Sequence, residues 1–168
     1  MIKVGDKVPD ASLQESTGFG ELGDACPVAP KPVSVAEATK GKRIVVFGLP
    51  GAYTPTCSAQ HVPGYLKEHD ALKAKKVDEI WCISVNDGFV MAAWGRDEKG
   101  LGKIRFLGDG SADFAKKLGL EVDLSAVGMG MRMKRFSMFL DDGVVKQLNI
   151  EEGRDFKVSN AETMVGQL

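Results

Sequence analysis

The sequence predicts an α/β domain in which a central mixed β-sheet is flanked by helices. Two segments of strand length, residues 43–49 and 78–85, carry continuous apolar runs, as is typical of strands that helices cover on both faces. An Asp-Gly pair at 142–143 lies between two further strand-like runs and indicates a hairpin. Strands that alternate with helices and end in a hairpin and a final helix give an α/β sandwich.

The segments before the first apolar strand carry weaker signals. Residues 11–13 are predicted as a short strand, and Ser34 is predicted to cap a helical turn because Glu37 follows three residues later. Between them, residues 18–32 are rich in glycine and proline, which predicts an irregular surface excursion. We interpret this region as N-terminal additions to the central sheet.

The second half of the chain continues the alternation and then closes it. Its predicted elements are, in order, a turn at 86–88, a helix over 89–96, a strand at 104–107, a helix over 111–118 that Ser111 caps, strands at 135–140 and 144–149, and a helix from Ala161 to the end. The order of the main elements, βαβα followed by ββα, is that of the thioredoxin-like fold.

Bulk composition limits the class of protein. The 168 residues fit one domain, 1–168, and a hydrophobic content of 43% supplies a core without disulfides or metals. The 22 Lys and Arg residues balance 23 Asp and Glu residues, so the net charge gives no general attraction to nucleic acid or to an anionic membrane. No apolar stretch approaches a membrane span, and the charged N-terminus is unlike a signal peptide. We therefore expect a cytoplasmic protein, with an organellar form left open.

The three cysteines, Cys26, Cys57 and Cys82, are isolated from one another, and no CxxC motif occurs. A zinc site needs closely spaced ligands, and only His61 and His69 could assist, so no metal site is expected. An odd number of scattered cysteines also argues against a secreted disulfide framework. Each cysteine is therefore either a packing residue or a reactive thiol.

The segment from Pro50 to Ser58 joins the end of a central strand to a helix, the edge where open α/β sheets place their ligands. Pro55 suits the first helical position, which makes Thr54 the N-cap and puts Cys57 in the first turn. Free backbone amides and the positive end of the helix dipole favour the thiolate over the thiol there. A cysteine in a first turn can also be a packing residue, and this geometry alone leaves both interpretations open.

The pattern Pro50-x-x-x-Thr54-x-x-Cys57 resembles the active-site signature of the peroxiredoxins. The wider runs 48–58 and 61–65, together with 83–87 and 135–138, resemble the type II (Prx5-like) subfamily within the thioredoxin-like superfamily. This resemblance implies that Cys57 is the peroxidatic nucleophile and becomes a sulfenic acid.

The same resemblance gives roles to three neighbours of Cys57. It implies that Thr54 hydrogen-bonds the thiolate and the peroxide, that Pro50 shields the site from water, and that Arg135 holds the thiolate anionic and helps to position the peroxide. From its position in the sequence alone, Arg135 would be a surface charge at the start of a strand, and Arg132 and Lys134 compete with it. Such chemistry requires no metal or organic cofactor.

The resemblance leaves two routes for reducing the sulfenic acid. No cysteine follows Cys82, so a resolving cysteine near the C-terminus is excluded. Other members of the subfamily carry a second cysteine 25 residues after the first, which matches Cys82, so a Cys57–Cys82 disulfide reduced by thioredoxin is an alternative. We favour direct reduction by glutathione or glutaredoxin, because bridging the two would require local unfolding of the helix start. Cys26 is interpreted as an incidental thiol.

Two other functions are compatible with a reactive Cys57. His61 lies one helical turn after Cys57, and a Cys-His pair would suggest a hydrolase of esters or amides, although no third orienting residue is evident. A thiol sensor or holdase that oxidises without turning over is the other alternative. The resemblance also implies a homodimer that packs beside the active-site face, through the loop near Tyr53 and the helix near Trp94.

Overall fold

The computed structural model describes residues 1–20 and 25–168. Its elements are β1 (Ser12–Glu15), β2 (Lys31–Ser34), α1 (Val35–Thr39), β3 (Arg43–Gly48), a π-helical turn (Cys57–His61) that continues into α2 (Val62–Lys67), α3 (His69–Ala74), β4 (Glu79–Ser84), α4 (Gly88–Asp97), β5 (Arg105–Gly108), α5 (Asp113–Leu118), β6 (Glu121–Asp123), a 3₁₀ turn (Ser125–Val127), β7 (Met131–Met133), β8 (Phe136–Asp141), β9 (Val144–Ile150) and α6 (Ala161–Gln167). Among the described helices, none is long and apolar enough to cross a membrane.

The main sheet has seven strands in the order β2-β1-β5-β4-β3-β8-β9. Strands β3, β4 and β5 run parallel, whereas β8 and β9 pair antiparallel beside β3. The predicted central mixed sheet with flanking helices is therefore confirmed. Strands β6 and β7 form a separate two-stranded hairpin that the sequence did not predict.

Side chains of the central strands alternate between two hydrophobic cores. Ile44 and Val46 of β3 face one core, which α1 and α5 cover. Val45 and Phe47 face the other core, which α2, α4 and α6 cover. Because both faces are buried, the strand is a continuous apolar run instead of an alternating one. Cys57 and Cys82 both belong to the second core.

The hairpin between β8 and β9 turns at Asp142 and Gly143, as predicted. Both residues have a positive φ, 49° and 75°, which is the geometry of a type I′ turn. A β-bulge between Phe139 and Leu140 shifts the register by one residue, so that Phe136 pairs with Ile150. This shift determines which residue of β9 lies beside the start of β8.

Two local predictions need correction. Ser111 does not cap α5, because the helix begins at Asp113 and the buried Asp109 carboxylate accepts hydrogen bonds from the amides of Phe114 and Ala115, at 3.0 and 2.9 Å. The excursion at 18–32 is shorter than predicted, because Lys31 and Pro32 belong to β2 and pair with β1. Residues 21–24 of that prediction lie outside the described part of the chain.

Candidate active site

The helix that carries Cys57 begins as the sequence predicts. Pro55 is its first helical residue, and the carbonyl of Thr54 accepts the amide of Ser58 at 3.0 Å. Cys57 therefore lies in the first turn, near backbone amides that lack helical partners. The Thr54 hydroxyl donates to the Gly51 carbonyl at 2.7 Å. Because a hydroxyl has one proton, Thr54 must rotate before it can donate to a thiolate or a peroxide.

The turn over Cys57–His61 is π-helical, and the amide of Val62 bonds to the carbonyl of Cys57, five residues back. Pro63 has no amide hydrogen for the carbonyl of Ala59, so the regular α-helical pattern is interrupted here. A π-helical turn inside an α-helix is rare and occurs frequently at functional sites. Cys57 thus lies at the start of the least regular part of its helix.

Arg135 reaches the sulfur of Cys57, although the two residues are 78 positions apart. Its Nη2 donates to Sγ at 3.3 Å. Gly48, at the end of β3, pairs with Phe136, at the start of β8, so the sheet brings the two segments together. Arg135 is 9% exposed, and the expectation from sequence position alone, that of a surface charge, is wrong.

His61 holds the other arm of the guanidinium. Nη1 of Arg135 lies 3.0 Å from Nδ1 of His61, and Nε2 of His61 lies 3.1 Å from the carbonyl of Ser159. Burial, together with the charge of Arg135, lowers the pKa of His61 from its ordinary 6.5 to about 3. Since both ring nitrogens are engaged by groups other than Cys57, His61 is not placed to take a proton from the thiol. The geometry therefore contradicts the Cys-His hydrolase hypothesis.

The other candidate arginine, Arg132, holds the loop before the helix. Its Nη1 donates to the carbonyl of Pro50 at 3.2 Å, and its Nε donates to the carbonyl of Met129 at 2.8 Å. A Cβ added to Gly51 would lie 2.8 Å from Nη1 of Arg132, so the guanidinium packs directly on this loop. Pro50 is half-buried beside these contacts, whereas Lys134 bonds through its backbone amide to the carbonyl of Leu120, at 2.7 Å.

Cys82 lies in the middle of β4, between Phe47 of β3 and Phe106 of β5. It is fully buried, and burial raises the pKa of its thiol well above the ordinary value. All three cysteines are free, and only Cys26 is exposed. Within residues 1–20 and 25–168, no group of three or more metal-ligating side chains occurs.

Two residues of the site were missed by sequence reasoning, namely Glu151 and Ser159. Both are buried polar residues, and the carboxylate of Glu151 binds the segment that carries Ser159. No sequence signal could have found Glu151, because the predicted Asp142-Gly143 turn, continued without a bulge, places Ile150 opposite Arg135. The bulge shifts this register by one residue, so that the amide of Glu151 bonds to the Arg135 carbonyl at 2.9 Å.

Comparison with known proteins gives consistent results. The model of the Redoxin family matches residues 3–165. Peroxiredoxin-2E-2, a chloroplastic protein of Oryza sativa subsp. japonica, is 47% identical over 172 residues, which cover 99% of this chain and 72% of that protein. Peroxiredoxin-2B of Arabidopsis thaliana is 44% identical over 167 residues, which cover 99% of this chain and 98% of that protein. The crystal structure of reduced Prx3 from Vibrio vulnificus in complex with hydrogen peroxide is 44% identical, with a TM-score of 0.90 and 99% of both chains covered.

Proposed function

The chain belongs to the redoxin family and is a peroxiredoxin, a thiol peroxidase, and from this premise we propose that Cys57 is the thiol that reduces the peroxide. One observation carries the proposal, the 3.3 Å hydrogen bond from Arg135 to the Cys57 sulfur. A guanidinium is charged at all relevant pH values and donates hydrogen bonds only, so it favours a thiolate over a thiol.

In the proposed reaction, the thiolate of Cys57 attacks one oxygen of the peroxide. A sulfur–oxygen bond forms and the oxygen–oxygen bond breaks, so that the electron pair leaves on the second oxygen, which takes a proton and departs as water or an alcohol. Cys57 is oxidised by two electrons to a sulfenic acid. Arg135 stabilises the negative charge that moves from sulfur to the departing oxygen, and the Thr54 hydroxyl, once rotated, is the second donor. Pro50 limits the access of water.

For the second half of the cycle we favour glutathione. Its thiol condenses with the sulfenic acid of Cys57, releases water and leaves a mixed disulfide, which a second thiol of glutathione or glutaredoxin reduces. The state of Cys82 supports this route, because burial raises the pKa of its thiol and keeps it protonated, whereas the thiolate is the attacking form. Its strand is hydrogen-bonded on both sides and cannot move towards Cys57 alone.

Access to glutathione requires movement of the active-site turn. Cys57 is fully buried, so a tripeptide thiol reaches its sulfur only if the π-helical turn opens. The missing amide of Pro63 weakens the hydrogen bonding of this turn. We therefore expect Pro63→Ala to slow formation of the mixed disulfide, and an unchanged rate would contradict this role of the proline.

A peroxide-consumption assay with glutathione and glutaredoxin tests the proposal. We expect Cys57→Ser to abolish turnover, and Cys82→Ser to retain it, as does the exposed control Cys26→Ser. Activity that survives in Cys57→Ser would refute the assignment of the nucleophile. Loss of turnover in both Cys57→Ser and Cys82→Ser would favour the internal disulfide, provided that thioredoxin supports turnover by the native protein. A single oxidation without turnover under either reductant would favour the sensor or holdase.

The expected homodimer remains part of this proposal. Tyr53, on the loop that carries Pro50 and Thr54, is 54% exposed, and Phe89, on α4, is 48% exposed. Trp94 of the same helix is fully buried, so it supports this face from inside without forming it. Sedimentation of the native protein and of Tyr53→Glu tests the interface. A native monomer, or a dimer that the substitution leaves intact, would contradict it.

We also propose a cytoplasmic location, which the odd number and wide spacing of the three cysteines support, because they do not form the disulfide framework of a secreted protein. Relatives with chloroplastic and mitochondrial names keep the organellar alternative open. Cell fractionation followed by immunodetection distinguishes the two, and recovery in an organelle would overturn the proposal.

A further inference from the structure

Arg135 is held in place by a histidine whose tautomer is fixed from outside the site. A backbone carbonyl only accepts hydrogen bonds, so Nε2 of His61 must carry the proton that faces Ser159. A guanidinium only donates, so Nδ1 of His61 must be bare where it faces Arg135. Only the neutral Nε2–H tautomer satisfies both partners, and the other tautomer would present a proton to the guanidinium and a lone pair to the carbonyl.

The Ser159 carbonyl owes its position to one carboxylate oxygen. Oε1 of Glu151 accepts hydrogen bonds from the amides of Lys157, Val158 and Ser159, at 2.8, 2.7 and 2.8 Å, and from the hydroxyl of Ser159 at 2.9 Å. These bonds wrap residues 157–159 around Glu151, which is 6% exposed. The carbonyl of Ser159 is thereby directed towards His61, and it also accepts the hydroxyl of Tyr65 at 3.0 Å.

The carboxylate is suited to this task because it stays ionised. Partial burial raises the pKa of Glu151. The hydrogen bonds from the amides of residues 157–159 and from the Ser159 hydroxyl lower this pKa by more than burial raises it, so the net pKa is below the ordinary value. The same segment also brings Phe156 to the site, where its ring packs edge-on against His61 at 5.0 Å and lies 5.7 Å from Cζ of Arg135.

We propose that Glu151 is a remote positioning residue of the peroxidase site, which fixes the tautomer of His61 through the Ser159 carbonyl and so holds the Arg135 guanidinium on the Cys57 sulfur. This inference rests on the proposed function of Cys57. Glu151 touches neither the sulfur nor a peroxide, and it acts only through this chain of hydrogen bonds. Loss of the carboxylate charge therefore loosens the Ser159 carbonyl first, the His61 tautomer second and Arg135 last.

The test compares Glu151→Gln, which keeps the shape of the side chain, with Glu152→Gln, which makes the same change on an exposed neighbour. Nitrogen NMR of the imidazole rings reports the tautomer of His61, and the ultraviolet absorbance of the thiolate, followed against pH, reports how well Arg135 stabilises Cys57. We expect Glu151→Gln to mix the two tautomers, to move thiolate formation to higher pH and to lower kcat/KM for peroxide about ten- to a hundredfold. Glu152→Gln should match the native protein in every measurement.

A pair of His61 variants keeps the proposal testable if Glu151→Gln fails to fold. His61→Asn offers an amide oxygen near the position of Nδ1, whereas His61→Leu offers no acceptor. We expect His61→Asn to retain more kcat/KM and more thiolate than His61→Leu. Equal loss in both variants, or a Glu151→Gln protein with native tautomer and native kcat/KM, would overturn the inference. Failure of the proposed function is distinguishable, because it would show as peroxidase activity in Cys57→Ser.

Discussion

Acidification should destabilise this protein through His61 in particular. The imidazole is fully buried and neutral, and its pKa is lowered from 6.5 to about 3 by burial and by the charge of Arg135. The unfolded chain therefore binds a proton that the folded chain does not bind, over the whole range between those two values. In that range the free energy of unfolding falls as the pH falls, by about 1.4 kcal/mol for each pH unit well below 6.5.

The magnitude follows directly. The His61 contribution to the loss is about 1.4 kcal/mol at about pH 5.5 and about 2.7 kcal/mol at about pH 4.5, against a total stability of about 5–15 kcal/mol for a typical domain. Burial raises the pKa of the neighbouring Tyr65, so this group does not titrate in the same range. Glu151 has a lowered pKa, so it also favours the folded state less as the pH falls through that pKa.

Urea unfolding at a series of pH values, followed by the fluorescence of the buried Trp81 and Trp94, measures the effect. Both proteins compared carry Cys57→Ser to remove thiol ionisation, and one of them also carries His61→Asn. The histidine variant is less stable near neutral pH, because it loses packing. Between neutral pH and about pH 4.5, however, its free energy of unfolding should fall by about 2.7 kcal/mol less than that of the protein with His61. Carboxylates contribute equally to both proteins. Parallel curves would refute a neutral, buried His61.

Three further substitutions test other parts of the structure. Arg135→Lys replaces a fixed fork of donors by a point charge and should lower kcat/KM for peroxide about a hundredfold, and a kcat/KM near the native value would contradict its role. Gly51→Ala places a Cβ 2.8 Å from Nη1 of Arg132 and should lower the free energy of unfolding by about 1–3 kcal/mol in a urea titration, whereas a native value would show that the guanidinium moves freely. Asp109→Ala removes the carboxylate that caps α5 and should lower the free energy of unfolding by about 1–2 kcal/mol in the same titration. The control Ser111→Ala, at an exposed residue, should change it little, and equal effects of the two substitutions would indicate that Ser111 is the cap.

Local signals in the sequence were sufficient for most of the fold. The apolar run of β3, the Asp142-Gly143 turn and the Pro55 start of the Cys57 helix each depend on a few adjacent residues, and each was predicted correctly. The cap of α5 was predicted wrongly for a reason that is also local. Ala112 takes a left-handed conformation with φ of 58°, so the helix begins only at Asp113 and Asp109, instead of Ser111, caps it.

The rest of the candidate site depends on contacts between residues far apart in the chain. Arg135 and Cys57 are 78 positions apart, and only the pairing of β3 with β8 brings them together. The link from Glu151 to His61 passes through a backbone carbonyl, and a carbonyl is present in every residue type. No residue pattern can reveal such a partner, so this part of the site requires coordinates.

The bulge in the β8–β9 hairpin restricts how this gene can evolve by insertion and deletion. Side chains in a strand alternate between faces, so one residue gained or lost between the bulge and Glu151, with the bulge kept, would turn the following part of β9 over and move Glu151 away from Arg135. Length changes here should therefore be rare in natural variants, or should come in pairs that restore the alternation, even though Asp142 at the tip of the hairpin is exposed.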